Sequence, residues 1–224
     1  MGKTALVAGG SGLVGTEVVR LLLSDPQWER VIALTRRPLA VSHSKLREMP
    51  LPDLTAVVPL TGDALFCCLG TTIKIAGSQA AFRVVDHDLP LALARAARAG
   101  SVPHYLLVSA LGADPRSRVF YSRVKGELEL ALSAIGFPRL TIAQPSLLLG
   151  QRTEARPGEG LSGLALGLVG PLLVGPLRHL RAIPAATVAA ALVAAAGESG
   201  PAGKIVIRSG DMVEAAGRGP KAAS

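Results

Sequence analysis

Two kinds of apolar segment alternate along most of the chain. Short uninterrupted runs, such as Thr4–Ala8 and His104–Ser109, have the length and composition of buried strands. Longer segments with apolar residues three or four positions apart, such as Leu13–Leu23 and Tyr121–Ile135, are typical of helices that cover a sheet. This alternation predicts an α/β fold with a doubly wound, mostly parallel, Rossmann-like sheet.

The same pattern predicts the boundaries of the elements and of the domain. Strands are predicted at Thr4–Ala8, Val31–Leu34, Leu46–Leu51, Ala64–Leu69, His104–Ser109, Leu140–Ala143 and Lys204–Arg208. Helices are predicted at Leu13–Leu23, Thr55–Leu60, Asp86–Arg98, Tyr121–Ile135 and Ala185–Ala196. We expect one domain over residues 1–210, in which 150–210 add a small substrate lobe, and a flexible tail over 211–224.

Composition and charge narrow the classes of partner. Hydrophobic residues make up 49% of the 224 residues but aromatic ones only 3%, so small aliphatic side chains must fill the core. The net charge of +8 comes mostly from scattered arginines, and no basic run is interleaved with aromatic residues. This argues against nucleic acid as a partner and favours a small-molecule substrate. A homodimer is the default expectation for the assembly.

The cysteines and the ends of the chain bear on its location. Cys67 and Cys68 are adjacent, which suits neither a disulfide framework nor a metal site, and in a strand they would point to opposite faces. The N-terminus enters a strand-like run without the apolar core of a secretory signal, so we expect a cytoplasmic protein. The stretch Gly160–Leu177 is apolar and uncharged, but its glycines and prolines favour burial or a subunit contact over membrane contact.

A glycine-rich turn joins the first predicted strand to the first predicted helix. The turn contains G-x-G-x-x-G at Gly10, Gly12 and Gly15, and Gly9 precedes it. Glycines permit the tight turn and the approach of a pyrophosphate to bare backbone, while the helix N-terminus offers free N–H groups. Because the pattern lies between a strand and a helix, it predicts a dinucleotide-binding site rather than an ordinary connection.

The end of the second strand indicates which dinucleotide binds. A preference for NAD usually needs an acidic residue there to hold the ribose hydroxyls. Here the strand is followed by Arg36 and Arg37, whose guanidinium groups match the oxygens of a 2′-phosphate. NADP(H) is therefore favoured, with NAD(H) as the alternative, and the other interpretation of the two arginines is that they are solvated loop charges.

A tyrosine and a lysine are spaced by one helical turn in the fourth predicted helix. Tyr121 and Lys125 would lie on one face, where the ammonium stabilises a phenolate and allows proton exchange with a carbonyl or an alcohol. Ser109 ends the fifth strand, at the sheet edge where open α/β folds bind ligands, and its hydroxyl could polarise a substrate carbonyl. Taken alone, the Tyr–Lys spacing also fits two unrelated surface residues.

In this order and spacing, the glycine turn, the serine and the Tyr–Lys pair resemble the short-chain dehydrogenase/reductase superfamily. More narrowly, the chain resembles its atypical members related to the Tat-interacting oxidoreductase-like proteins and their small bacterial relatives. The segments that carry this resemblance are Phe66–Thr72, Ala76–Ser78, Phe82–Asp88 and Val124–Glu127. Gln144 departs from it, since many relatives have arginine there.

The resemblance implies a role for each site residue. Tyr121 would be the general acid and base, Lys125 would bind the nicotinamide ribose and tune Tyr121, and Ser109 would orient the substrate. The cofactor would contact the glycine turn, the loop after the second strand, the end of the fourth strand and the segment after the sixth: Gly9, Ser11, Gly12, Leu13, Val14, Gly15, Arg36, Arg37, Leu69, Gly70, Thr71, Pro145, Ser146 and Leu147. It also suggests Asp53 beside the adenine and residues 152–159 beside the active site.

Three functions are compatible with this set of residues. The first is an NADP(H)-dependent reductase that transfers hydride to a small carbonyl substrate, with proton relay through Tyr121 and Lys125. The second is a regulatory or scaffold protein that binds the cofactor with little or no catalysis, because fold does not fix function. The third is an isomerase or epimerase that recycles its cofactor and consumes none.

Overall fold

The computed structural model describes residues 2–50, 58–149, 182–197 and 202–217. The strands in chain order are β1 (Lys3–Ala8), β2 (Trp28–Thr35), β3 (Leu46–Pro50), β4 (Ala64–Cys67), β5 (His104–Val108), β6 (Arg139–Gln144), β7 (Leu148–Leu149), β8 (Ile183–Pro184) and β9 (Gly203–Arg208). Within these residues, seven strands form one sheet in the order β3-β2-β1-β4-β5-β6-β9, and β7 pairs with β8. Every pairing is parallel. The predicted Rossmann-like α/β fold is confirmed.

The helices connect the strands as a doubly wound sheet requires. They are α1 (Leu13–Ser24), α2 (Ile73–Ala76), α3 (Gln79–Arg83), α4 (Leu89–Ala99), α5 (Phe120–Ile135), α6 (Ala185–Gly197) and α7 (Ser209–Gly217). A π-helical turn, Val84–Asp88, joins α3 to α4 without a break. The side chains of Thr72 and Ser78 cap α2 and α3 by accepting hydrogen bonds from backbone N–H groups one turn ahead.

The core lies in two layers, one on each face of the sheet. Along β1, Ala5 and Val7 face one layer, which α1 and α6 complete, while Leu6 and Ala8 face the other, which α4 and α5 complete. This alternation follows from the two-residue period of a strand that is buried on both faces. Cys67 and Cys68 likewise contact opposite layers, as predicted, and both are free thiols.

The strand order places the candidate site. The chain proceeds outwards from β1 through β2 to β3, and then returns to begin the other half of the sheet with β4 on the opposite side of β1. Ligands of open α/β sheets bind at such a reversal, beyond the carboxyl ends of the strands. The loops that follow β1, β2, β4, β5 and β6 all begin at this carboxyl end of the sheet.

Several expected boundaries differ from those of the structure. Strand β4 ends at Cys67 instead of Leu69, because its partner β1 ends at Ala8 and the chain turns away there. The predicted helix Asp86–Arg98 is the second half of a longer helical segment that begins at Gln79. In the predicted helix Thr55–Leu60, residues 58–60 have no regular structure, and the remainder lies outside the described residues.

The C-terminal part also differs from expectation. Residues 211–217 of the expected flexible tail lie in helix α7, whose Met212 is fully buried against the layer that contains α6. The stretch Gly160–Leu177, Asp53 and residues 152–159 lie outside the described residues. In the part of the chain that the structure does describe, no helix is both long and apolar enough to cross a membrane.

Candidate functional site

The glycine turn after β1 leaves no room for side chains at two of its positions. Gly9 has φ +81°, and a Cβ there would lie 2.6 Å from the carbonyl oxygen of Cys68. A Cβ on Gly15 would lie 2.0 Å from the carbonyl oxygen of Gly9. The turn is closed by a hydrogen bond from the Gly12 N–H to the Gly9 carbonyl at 3.0 Å. Strand and helix therefore approach as closely as a pyrophosphate cradle requires.

Helix α1 begins directly behind this turn. Its N-cap is Gly12, so no side chain accepts hydrogen bonds from the first N–H groups of the helix. Ser11 is exposed beside them, and Leu13 is partly exposed, while Val14 is buried. Free N–H groups and the positive end of the helix dipole fit a phosphate group. The backbone here therefore fits the pyrophosphate of a dinucleotide.

The two arginines expected at the adenosine end follow β2 in an exposed loop. The hydroxyl of Thr35 donates to the carbonyl of Arg37 at 2.6 Å, and this contact closes the loop locally. Arg36 and Arg37 are both exposed. The nearby carboxylate of Glu48 accepts a hydrogen bond from the Leu39 N–H at 2.6 Å. No acidic residue follows β2 in the position that would hold ribose hydroxyls.

The segment after β4 is held by Asp86, an acidic residue that was not identified from the sequence. Asp86, in the π-helical turn, is 1% exposed, and its Oδ2 accepts a hydrogen bond from the Thr71 N–H at 2.9 Å. A Cβ on Gly70 would lie 3.6 Å from Asp86 Oδ1. Asp86 thus fixes the backbone of Gly70 and Thr71, which lie next to Leu69 at the expected ribose-binding edge.

Asp86 also holds the lysine of the Tyr–Lys pair. The Nζ of Lys125 lies 2.8 Å from Asp86 Oδ1, and both side chains are almost completely buried. Burial lowers the pKa of Lys125, but the charge of Asp86 and then Tyr121 raise it by more, so its net pKa is above the ordinary value. Lys125 therefore remains an ammonium group at neutral pH.

Tyr121 lies one helical turn before Lys125, at the start of α5. The residue is 37% exposed, and its ring packs against Phe82 with 5.6 Å between centroids. Lys125 is thus buried, whereas Tyr121, one turn earlier on the same helix, is exposed. A tyrosine with an adjacent permanent cation can donate a proton to a substrate oxygen and recover it from solvent.

Ser109 is part of a buried polar cluster at the carboxyl ends of β5 and β6. Its Oγ lies 2.5 Å from Oε1 of Glu129, and the Nε2 of Gln144 donates to both carboxylate oxygens at 3.0 Å. All three residues are at most 9% exposed. Glu129 was not identified from the sequence, although it follows Tyr121 and Lys125 at a spacing of four residues on the same helix. That spacing is the signal that could have identified it.

The segment after β6 is fixed to the rest of the site by backbone contacts. The Pro145 carbonyl accepts a hydrogen bond from the Leu111 N–H at 2.8 Å. The Ser146 N–H donates to the hydroxyl of Ser209, at the start of α7, at 2.9 Å. Leu147 is 42% exposed. The three residues expected at the nicotinamide therefore lie at the same sheet edge as Ser109.

Among the described residues, no group of His, Cys, Asp and Glu side chains could hold a metal ion. His104 is buried, and its Nε2 forms a hydrogen bond of 2.8 Å with the hydroxyl of Thr141. It lies at the amino end of β5, away from the site. Burial, and then the charge of Arg139, lower the pKa of His104 to about 3, so the imidazole is neutral. This histidine has a structural role.

Comparisons with solved structures agree with this architecture. MoeE5 in complex with UDP-glucose and NAD has a TM-score of 0.67 and 16% identity, over 96% of this chain and 81% of MoeE5. A short chain dehydrogenase family protein from Francisella tularensis has a TM-score of 0.63 and 15% identity, over 94% of this chain and 99% of that one. At these identities the likeness establishes the fold alone, a Rossmann-like α/β sheet.

Curated proteins give a closer comparison. The protein fmp52, mitochondrial, of Emericella nidulans is 36% identical over 181 residues, which cover 76% of this chain and 77% of that protein. The rat protein HTATIP2 is 35% identical over 167 residues, which cover 71% of this chain and 69% of that protein. No protein-family model matches. The expectation of a cytoplasmic location is wrong, because fmp52 of Emericella nidulans and other fungal relatives are named mitochondrial. Their names point to that compartment. The chain belongs to the family of the FMP52 and HTATIP2 proteins.

Proposed function

We propose that the protein is an NADP(H)-dependent oxidoreductase that reduces a small carbonyl substrate. The observation that carries the proposal is the buried pair of Lys125 and Asp86, one helical turn from the exposed Tyr121. A lysine that only decorated a surface would not be buried with its own counterion. One helical turn from a tyrosine with which it interacts electrostatically, it supplies a fixed positive charge near a developing phenolate.

The glycine turn and the loop after β2 support the choice of cofactor. The crowding at Gly9 and Gly15 and the uncapped start of α1 fit a pyrophosphate. Arg36 and Arg37 are exposed and available to a 2′-phosphate. When bound, NADPH supplies a hydride for the carbonyl carbon of the substrate.

The residues of the chain then perform the proton chemistry. Tyr121 donates its phenolic proton to the substrate oxygen as negative charge develops there. The ammonium of Lys125 stabilises the resulting phenolate, and Asp86 keeps the ammonium in place. The segment Pro145–Leu147 borders the same edge, and we propose that residues 150–210 complete the substrate side of a domain spanning residues 1–210.

The cofactor is tested by titrating the full chain with NADPH, NADP, NADH and NAD by calorimetry. We expect NADPH to bind more tightly than NADH, and Arg36→Ala with Arg37→Ala to weaken NADPH alone, by about tenfold or more. Arg30→Ala is the matched control, since it removes an exposed arginine from the opposite end of β2. Equal affinities for NADPH and NADH would refute the NADP preference.

The reaction is tested with a panel of aldehydes and ketones, by following NADPH absorbance. Tyr121→Phe should lower kcat/KM by about 10²- to 10⁴-fold and leave the Kd of NADPH unchanged, because only the proton donor is lost. Unchanged turnover would exclude Tyr121 as the acid. NADPH binding without oxidation by any carbonyl would favour the scaffold function, and substrate conversion without net NADPH loss would favour an isomerase.

A further inference from the structure

The segment Pro145–Leu147, which follows β6, is tied to distant parts of the chain. The Leu111 N–H, in the loop after β5, donates to the Pro145 carbonyl at 2.8 Å. The Ile183 N–H, in β8, donates to the Leu147 carbonyl at 2.9 Å. Both bonds join backbone groups, so no change of side chain removes either of them directly.

The middle residue of this segment is held by a side chain. The Ser146 N–H donates to the Oγ of Ser209 at 2.9 Å, across 63 positions of the chain. Because a backbone N–H can only donate, the Ser209 oxygen is the acceptor, and the direction of this bond is fixed. Ser209 is 3% exposed, so the bond is shielded from competing water.

Ser209 is itself held on both sides. It lies between β9, which pairs with β6, and the remainder of α7, of which it is the first residue. The Arg208 N–H donates to the carboxylate of Asp211 at 3.2 Å and closes the turn between the two elements. Three residues beyond Ser209, Met212 is fully buried in the core layer that contains α6. The Ser209 hydroxyl is therefore anchored to the sheet and to the core.

The segment borders the part of the site that the nicotinamide would occupy. The glycine turn follows β1, and the loop with Arg36 and Arg37 follows β2, so the adenosine of the proposed cofactor lies towards β2. The other half of a dinucleotide extends from the pyrophosphate in the opposite direction, across β4 towards β5 and β6. Tyr121 and Lys125 lie on α5, which connects β5 to β6. The reacting end of the cofactor would therefore lie between α5 and the segment after β6.

We infer that Ser209 is a positioning residue for the nicotinamide, and that it acts through the backbone of Ser146. This inference rests on the proposed function. Hydride transfer needs the reacting atoms about 3–3.5 Å apart, and a displacement of about 1 Å can lower the rate about 100-fold. Without the Ser209 oxygen, the Ser146 N–H loses this acceptor and the segment can move relative to Tyr121. Helix α7, the last helix of the described chain, thereby contributes to the geometry of the reaction.

The variant Ser209→Ala separates binding of the cofactor from its use. The pyrophosphate and adenosine contacts remain, so the Kd of NADPH in calorimetry should stay within about threefold of the wild type. The kcat for a carbonyl substrate should fall by about 10- to 100-fold, with a larger isotope effect from NADPH deuterated at the transferred position. Ser24→Ala is the matched control, since this exposed hydroxyl donates to the Arg20 carbonyl at the end of α1. Both of its constants should equal those of the wild type.

Two kinetic results would overturn the inference. The first is a kcat of Ser209→Ala within about twofold of the wild type, because the segment would then be placed without this bond. The second is a loss of kcat with an equal loss of affinity for NADPH, which is the effect of a general loss of structure. A wild type that binds no NADPH would instead refute the proposed function.

Amide hydrogen exchange, measured by NMR on the protein without cofactor, tests the hydrogen bond itself. The Ser146 N–H should exchange about tenfold faster in Ser209→Ala than in the wild type, while the amides of β1 exchange as before and show that the fold is retained. Ser209→Thr keeps a hydroxyl and should restore both slow exchange and kcat. Equal exchange of the Ser146 N–H in wild type and Ser209→Ala would overturn the inference whether or not a cofactor binds. Slow exchange with a low kcat in Ser209→Thr would also overturn it.

Discussion

Removing one charge of the Asp86–Lys125 pair should destabilise the protein more than removing both. The two side chains are 1% and 4% exposed, so either charge left alone is buried without its counterion. Breaking a buried pair in this way costs about 3–5 kcal/mol. We therefore expect that loss in the free energy of unfolding for Asp86→Leu and for Lys125→Met.

The double variant should be close to the wild type in stability. Replacing both charges by apolar groups of similar volume is often nearly neutral, which removes the 3–5 kcal/mol penalty of either single change. One cost remains, because the Thr71 N–H loses the acceptor that Asp86 provided, and an unsatisfied buried donor costs about 1–3 kcal/mol. The double variant should thus lose about 1–3 kcal/mol instead of the 6–10 kcal/mol of the two single losses added together.

Urea unfolding followed by circular dichroism of the four proteins gives the double-mutant cycle. The pair Glu17 and Arg20 on α1 is the control, because its side chains are 31% and 60% exposed. Alanine at either position should change the free energy of unfolding by no more than about 0.5 kcal/mol. If the losses at Asp86 and Lys125 add to within about 0.5 kcal/mol, the pair is not coupled and the reasoning is wrong.

Three further predictions concern other parts of the molecule. Gly15→Ala should abolish detectable NADPH binding in calorimetry, because its Cβ would lie 2.0 Å from the Gly9 carbonyl, and wild-type affinity would contradict this. Since the pKa of His104 falls to about 3 in the native state, only the unfolded chain binds its proton between pH 3 and 6.5. This group should therefore lower the free energy of unfolding by about 1.6 kcal/mol between pH 6.5 and pH 5. Chemical denaturation of His104→Asn should show a pH dependence that is smaller by this amount. Because burial raises the pKa of Cys67, its thiol in Cys68→Ala should react with Ellman's reagent only after denaturation, and rapid reaction in the native protein would contradict its burial.

Much of the sheet could be predicted from local pattern. Runs such as Ala64–Cys67 and Tyr105–Val108 are short, apolar and rich in aromatic or aliphatic residues, which is typical of a strand buried on both faces. Helix α7 was not predicted. Its sequence has Gly210 and Asp211 near the start, and the helix comes directly after the exposed edge strand β9. Its helical state depends on packing Met212 into the core, which is a tertiary contact.

The site could be predicted where its chemistry depends on neighbours in sequence. The glycine turn is one continuous segment, and the spacing of Tyr121 and Lys125 follows from one helix. The roles of Asp86 and Glu129 depend on contacts between residues that are 39 and 20 positions apart in the chain, Asp86 with Lys125 and Glu129 with Ser109. No local pattern encodes such pairings, so acidic residues that appeared ordinary proved to organise the site.

The order of strands also governs how the polypeptide acquires its shape during synthesis. Strand β1 and both of its neighbours, β2 and β4, lie within one continuous segment, residues 3–67, which is made before the rest of the sheet. The first half of the sheet can therefore assemble before the second half has been made. By contrast, β9 must find β6 across a separation of 64 residues, from Arg139 to Gly203. We expect this closure to be the slow and late event in folding, and the nascent edge of β6 to be the surface most exposed to misassociation until it occurs.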